Sequence, residues 1–100
     1  MYYRIRIRET YVGLWCVSVA EIALGAHGVK EQDLPEGDVE DKPSPVQAVR
    51  SMLDQLGWSD IPASAVLAAA EDRVSITIPS RWGASRPTLI LCPRMVGDLA

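Results

Sequence analysis

The sequence lacks several features on which common functions depend. It contains no phenylalanine, one histidine and two cysteines in 100 residues, and no apolar run approaches the length that spans a membrane. Its formal net charge of -3 argues against the pervasively basic surface that non-specific nucleic-acid binding usually needs. The first residues, MYYRIRIRE, are too charged for a secretory signal. We therefore expect a small cytoplasmic protein, and a length of 100 residues predicts a single domain over residues 1–100.

Charge is distributed unevenly along the chain. Six acids fall within eleven residues near the middle, and arginines concentrate toward both ends. The segment from Glu31 to Pro43 contains Pro35 and Gly37, ends in a proline and has almost no apolar side chain. We therefore predict a mobile surface loop there. The six acids are Glu31, Asp33, Glu36, Asp38, Glu40 and Asp41.

Two strands are predicted at the start of the chain. Between Tyr3 and Glu9, apolar and basic residues alternate strictly, as in a half-exposed strand. The stretch from Tyr11 to Leu24 is the most continuously apolar, and we predict a central strand there that is buried on both faces. A weaker third strand is expected between Ala23 and Lys30. The basic face of the first strand carries Arg4, Arg6 and Arg8.

A helix over about 45–56 has the clearest local signal. Ser44 and Gln47 form a capping box, Pro45 suits the first helical position, and Gly57 provides a left-handed cap. Apolar residues recur at helical spacing and predict one buried stripe. Its members are Val46, Val49, Met52, Leu53 and Leu56.

The second half of the chain is less distinct. The segment Ser59 to Asp72 is either a second short helix, over about 62–71, or a strand; its alanine content favours the helix. Alternation from Val74 to Ile78 and the run from Thr88 to Cys92 predict two more strands. Together these elements predict an α+β fold, with an antiparallel sheet of four to five strands and an amphipathic helix packed on it.

Residues that could support catalysis are few. His27 has no acid or nucleophile near it in sequence beyond Glu21 and the acidic segment, whereas a general base needs one within reach. Cys16 and Cys92 lie within predicted strands, and we expect buried, reduced thiols. The spacing of the acids matches no calcium loop. The sequence therefore predicts no enzyme, no cofactor and no metal site.

The segment containing Arg81, Trp82 and Arg86 is the most suggestive surface feature, because tryptophan and arginine are enriched in binding hot spots. Trp82 either lies exposed in a partner-binding loop or folds back against one end of the sheet. The two arginines could also hold phosphates while the ring stacks on a base.

The first half of the chain resembles the N-terminal domain of HicB-type antitoxins. The resemblance rests on the strand Tyr3 to Glu9, on the run from Gly13 to Ile22, which contains a Gly-x-Trp-x-Val pattern, and on the helix opening at Ser44. The proline that the family places before Glu21 is Ala20 here, and the acidic segment is longer than the family usually carries. The resemblance implies a small domain that neutralises a partner nuclease by protein contact and often dimerises.

Two functions are consistent with these observations. The first is a non-enzymatic interaction protein, a small acidic inhibitor or antitoxin-like module, including a phage anti-defence inhibitor, that binds a basic, nucleic-acid-handling protein. Its partner-binding residues would be the six acids together with Arg81, Trp82 and Arg86. The alternative is a nucleic-acid or anion-binding module that uses the arginines of the first strand or the Arg81–Arg86 loop. Neither reading requires a membrane, and either is compatible with a homodimer.

Overall fold

The computed structural model describes residues 2–72, 75–77 and 89–93. Within these ranges the chain forms one mixed sheet of six strands. The strands are β1 (Tyr2–Tyr11), β2 (Leu14–Gly25), β3 (Gly28–Asp33), β4 (Val39–Lys42), β5 (Ser75–Thr77) and β6 (Leu89–Leu91).

The strand order is β3-β2-β1-β6-β5, and β4 pairs with β2 beside the end of β3. The pairs β1–β2, β2–β3, β2–β4 and β5–β6 are antiparallel, whereas β1 and β6 are parallel. The predicted α+β fold is confirmed, but the described ranges form six strands in place of the four to five expected, because β4 lies within the segment predicted to be a loop. The parallel pair was not predicted, because side chains alternate in the same way in strands of either orientation.

Two helices follow β4: α1 (Pro45–Gln55) and α2 (Ala63–Asp72). At the start of α1 the Gln47 amide donates to Ser44 Oγ at 3.2 Å. At its end Gly57 has φ 73°, and the Trp58 amide donates to the Leu53 carbonyl at 2.8 Å, which is the pattern of a Schellman cap. The predicted ends of α1 are confirmed, and the segment Ser59 to Asp72 contains a helix, which begins at Ala63, instead of a strand.

The core lies between the helices and one face of the sheet. Ile5 and Ile7 of β1 are fully buried there, as are Met52 of α1 and Val66 of α2. The stripe predicted on α1 needs one correction, because Val46 is 53% exposed. At 100° per residue the buried positions 48, 49, 52 and 53 occupy one arc of the helix, and position 46 lies just outside it.

The central strand is confirmed. β2 lies between β1 on one side and β3 and β4 on the other. Trp15 and Val17 are buried against the helices, and Cys16 and Ala20 are buried on the opposite face. Ser18 is exposed, as are the last three residues of β2, so the prediction that both faces are covered holds only between Trp15 and Ile22, apart from Ser18.

The acidic segment is where the prediction was wrong. Instead of a mobile loop from Glu31 to Pro43, the chain forms the end of β3, a 3-10 turn at Pro35–Gly37 and β4. The predicted third strand is also displaced, because β2 continues to Gly25 and β3 starts at Gly28, whose φ of 120° suits glycine. β3 and β4 form by pairing with β2, and the residues within each short segment do not indicate which strand it pairs with.

Candidate functional site: an acidic edge beside an arginine row

All six acids of the middle segment lie along one side of the sheet. β3 and β4 both pair with the side of β2 that faces away from β1, one after the other, and the 3-10 turn joins them. The acids are exposed throughout. We call them the acidic edge: Glu31, Asp33, Glu36, Asp38, Glu40 and Asp41.

The acidic edge is fixed to the core by apolar contacts between its charged positions. Leu34 packs against the core, and its amide donates to the Val19 carbonyl at 2.8 Å. Gly37 is buried so closely that a Cβ there would lie 2.9 Å from Val19 Cγ2 and 3.0 Å from Leu56 Cδ1. Val39 is 4% exposed. The backbone between the acids is therefore ordered.

Helix α1 holds the turn of the acidic edge through one side chain. The Gln55 amide nitrogen donates to the Glu36 carbonyl at 3.0 Å and to the Asp38 carbonyl at 2.9 Å. Farther along, Asp41 adopts a φ of 56°, a left-handed conformation that Asp and Asn tolerate better than other non-glycine residues. Gln55 could not be assigned to the site from the sequence, because its partners are backbone carbonyls 17 and 19 residues away.

The arginine row, Arg4, Arg6 and Arg8, runs beside the acidic edge on the face of the sheet opposite the core. Each arginine lies across from a small residue of β2, so that the row and the edge flank a shallow groove. The cross-strand partners are Ala20, Ser18 and Cys16 in that order.

Three cavities follow one another along this groove. The first, of about 220 Å³, lies between Arg4, Arg6 and the two acids of β3. The second, of about 250 Å³, lies between Arg6, Arg8, Asp33 and Asp38. A third, of about 670 Å³, lies at the Arg8 end, and its lining includes Glu40 and Asp41. Positive and negative side chains thus share every part of the groove.

Within the described part of the chain, Arg4 and Arg8 of the row have side-chain partners. Arg4 Nη1 lies 3.1 Å from Glu31 Oε2, in a pair whose side chains are 36% and 39% exposed. Arg8 Nε donates to Cys16 Sγ at 3.3 Å, and this hydrogen bond raises the pKa of Arg8 above its usual value. A phosphate in the groove would face carboxylates on one side, which weakens the case for nucleic-acid binding by the row.

The structure therefore brings together the six predicted acids and places them beside the arginines of the alternative hypothesis. The other predicted partner-binding residues, Arg81, Trp82 and Arg86, lie outside the described residues. The close approach of row and edge was missed because it depends on the register between β2 and β3. One sequence feature did indicate it. The alternation places three arginines on one face of β1, where they repel one another unless acidic side chains lie beside them.

The histidine lies elsewhere. His27 is exposed in the turn between β2 and β3, beside a cavity of about 300 Å³ whose lining residues, Ala23 to Lys30, include no carboxylate, hydroxyl or thiol group. Among the described residues no group of three or more His, Cys, Asp or Glu side chains is arranged to hold a metal ion.

The two cysteines are separated by the sheet. Cys16 is buried on the groove face, whereas Cys92 belongs to the core, 4% exposed, and burial raises its pKa to about 12. β1 lies between β2, which contains Cys16, and β6, which ends just before Cys92. This separation is consistent with the free thiols observed.

We expect the two thiols to react at different rates with a thiol reagent such as Ellman's reagent. Only the thiolate reacts, and at pH 8 a pKa of about 12 leaves a fraction on the order of 10⁻⁴ in that form, so native Cys92 should be silent until the protein unfolds. Replacing Arg8 by Ala should uncover Cys16 and accelerate its labelling, with Cys92 unchanged. Mass spectrometry of tryptic peptides assigns the label. Rapid labelling of native Cys92 would contradict its placement in the core.

Comparison with family models, with curated proteins and with solved structures found no match to this chain. Within the described ranges, no helix has the length and apolar character needed to cross a membrane.

Proposed function

We propose that the chain is a non-enzymatic protein-interaction module, a small acidic inhibitor or antitoxin-like protein that binds and neutralises a basic, nucleic-acid-handling partner through its acidic edge. The observation that carries the proposal is the ordered backbone beneath the six acids, which Gly37, Gln55 and Val39 fix to the core. An ordered surface loses less conformational entropy when it binds than a mobile loop does. The resemblance to HicB-type antitoxins supports the same reading, since it implies neutralisation of a nuclease by protein contact.

Electrostatics gives the expected behaviour of such a complex. A fixed row of carboxylates attracts a basic partner and raises the association rate constant, most strongly at low salt. A nucleic-acid-handling partner carries a basic surface that attracts phosphates, and the same surface attracts a row of carboxylates. A phage anti-defence inhibitor and an antitoxin would share this mode of binding, and the identity of the captured protein distinguishes them.

A matched pair of double variants tests the proposal. Glu40→Gln with Asp41→Asn removes two charges from the acidic edge, and Glu71→Gln with Asp72→Asn removes the same two charge types from the exposed end of α2. Against the partner captured from the native cell, we expect the first variant to lower the association rate constant roughly 3- to 10-fold at low salt, with the control close to wild type.

Two results would count against this function. One is a capture experiment with correctly folded protein that recovers no protein partner. The other is equal association rates for the two variants, which would place the interface away from the acidic edge. Circular dichroism of both variants checks that the fold is retained.

The alternative, a nucleic-acid or anion-binding module, keeps some support from Arg6, which is exposed and lines both the first and the second cavity of the groove. Phosphate contacts weaken steeply with added salt, so binding should be strongest in dilute buffer. Absence of oligonucleotide binding at about 50 mM salt would dismiss this alternative.

A further inference from the structure

β3 leaves one of its two sides unpaired in the described part of the chain. It is the terminal strand of the sheet order, it pairs with β2 alone, and all six of its residues are exposed. An unpaired strand of this kind presents a row of backbone donors and acceptors to which another extended segment can bind.

The register identifies which backbone groups of β3 are free. The Leu34 amide donates to the Val19 carbonyl, so the amide of Leu34 points toward β2. In an antiparallel ladder the backbone groups of successive residues point alternately toward the partner strand and away from it. Counting back from Leu34, the N–H and C=O groups of Val29, Glu31 and Asp33 point away from β2.

The side chains of these same three residues lie on the groove face. Their cross-strand partners on β2 are Leu24, Ile22 and Ala20, and Ala20 pairs in turn with an arginine of the row. Glu31 and Asp33 supply negative charge there. Val29 and Leu24 are 64% and 60% exposed and form a small apolar patch at the hairpin end.

We propose that the free side of β3 accepts an extended segment of a basic partner as an additional strand. Glu31 and Asp33 would each face a Lys or Arg of that segment, and Val29 would face an apolar residue. In an antiparallel arrangement the segment reads basic-x-basic-x-apolar from its N-terminus. This inference rests on the proposed function, because it assigns a recognition mode to the acidic edge, and it names the class of partner segment that fits.

A second copy of the chain fits this side less well. Two copies of β3 can pair as antiparallel strands about a twofold axis in two registers that include most of the strand. One register places Lys30 opposite Lys30 of the second copy, and the other places Glu31 opposite Glu31. Like charges directly opposite each other destabilise a strand pair. Charge complementarity thus favours a basic segment of another protein over self-association at this side.

The direct test is amide hydrogen exchange, followed by NMR, with a synthetic peptide as the probe. The peptide Thr-Arg-Thr-Arg-Thr-Val-Thr, acetylated and amidated, carries the required pattern. We expect it to slow exchange at Val29, Glu31 and Asp33, and to leave Lys30 and Gln32, which point toward β2, unchanged. The same peptide with N-methyl groups at both arginines keeps its charge but cannot complete the ladder, so it should not protect these amides.

Two variants at one position separate backbone from charge. Glu31→Gln removes the carboxylate and keeps the backbone N–H group, whereas Glu31→Pro removes both the carboxylate and the backbone N–H group. Because the Glu31 amide points outward, proline there should leave the fold intact, while Gln32→Pro should unfold the hairpin. We expect Glu31→Pro to weaken peptide binding roughly tenfold more than Glu31→Gln does, because a ladder hydrogen bond is lost.

Several results would overturn the proposal. These are no peptide binding at millimolar concentration, equal binding by the N-methylated peptide, equal affinities of Glu31→Pro and Glu31→Gln, or a concentration-dependent dimer that protects the same amides without peptide. The function proposed above fails separately, through the capture experiment and the Glu40–Asp41 variant. A captured partner that binds Glu31→Pro and Glu31→Gln equally would preserve that function and exclude strand addition.

Discussion

Replacing Trp58 by Ala should lower the free energy of unfolding by about 3–5 kcal/mol. Trp58 is 6% exposed, and its ring meets that of Tyr3 edge to face, with centroids 4.9 Å apart and an interplanar angle of 75°. The substitution removes the packing of the indole and leaves a cavity between the end of α1 and β1. A domain of this size has about 5–15 kcal/mol of stability in all, so the variant should be close to unfolding at physiological temperature.

Urea unfolding followed by circular dichroism measures this effect. Trp58→Phe keeps an aromatic ring in place and should cost substantially less than Trp58→Ala. Val12, which is 99% exposed, provides the neutral control, and Val12→Ala should stay within about 0.5 kcal/mol of wild type. A loss below about 1 kcal/mol for Trp58→Ala would mean that the indole is not part of the core.

The second large effect concerns Gly37, where a single methyl group should destabilise the protein by about 1–3 kcal/mol. The new Cβ would lie within 3.0 Å of Val19 and Leu56 side-chain atoms. Leu56 can move, because the contact is with the end of a flexible side chain. Val19 cannot, since it is β-branched and 2% exposed. The strain should displace the turn and its hydrogen bonds to Gln55.

Gly25→Ala is the matched control for this prediction. A Cβ at Gly25 would have the Gly28 carbonyl oxygen at 3.7 Å as its nearest neighbour, and alanine restricts the unfolded chain more than glycine does. Gly25→Ala should therefore be neutral or stabilise by up to about 1 kcal/mol, the opposite sign from Gly37→Ala. If steric contact is the cause, Gly37→Ala should cost less in a Val19→Ala background. Additive effects would exclude that cause.

The elements that the sequence predicted well are those with local signals. Ser44 and Gly57 mark the two ends of α1 by caps that involve residues no more than five positions away. The alternation in β1 is just as local, and it requires only that one face be buried. For these elements the order of residues within a short segment was sufficient to predict the secondary structure.

The acidic edge could not be predicted in this way. Its order depends on Gly37 against Val19 and on Gln55 bonded to the carbonyls of Glu36 and Asp38, contacts between segments that are distant in sequence. Glycine and glutamine occur in many structural roles, and the residues adjacent to Gly37 and Gln55 in sequence do not indicate these contacts. The composition pointed correctly to a charged surface and wrongly to its mobility.

The parallel pairing of β1 with β6 has a consequence for how the chain is made. Tyr2 pairs with Leu89 and Arg4 with Leu91, so the second side of β1 pairs with a strand 87 residues farther along the chain. Contacts of such long sequence separation slow folding, because a large loop must close before they form. On the ribosome β1 can pair with β2 early, while its other side stays unpaired until β6 has been synthesised. β1 is thus synthesised long before its second partner, and its pairing in the sheet is completed only after β6 has emerged.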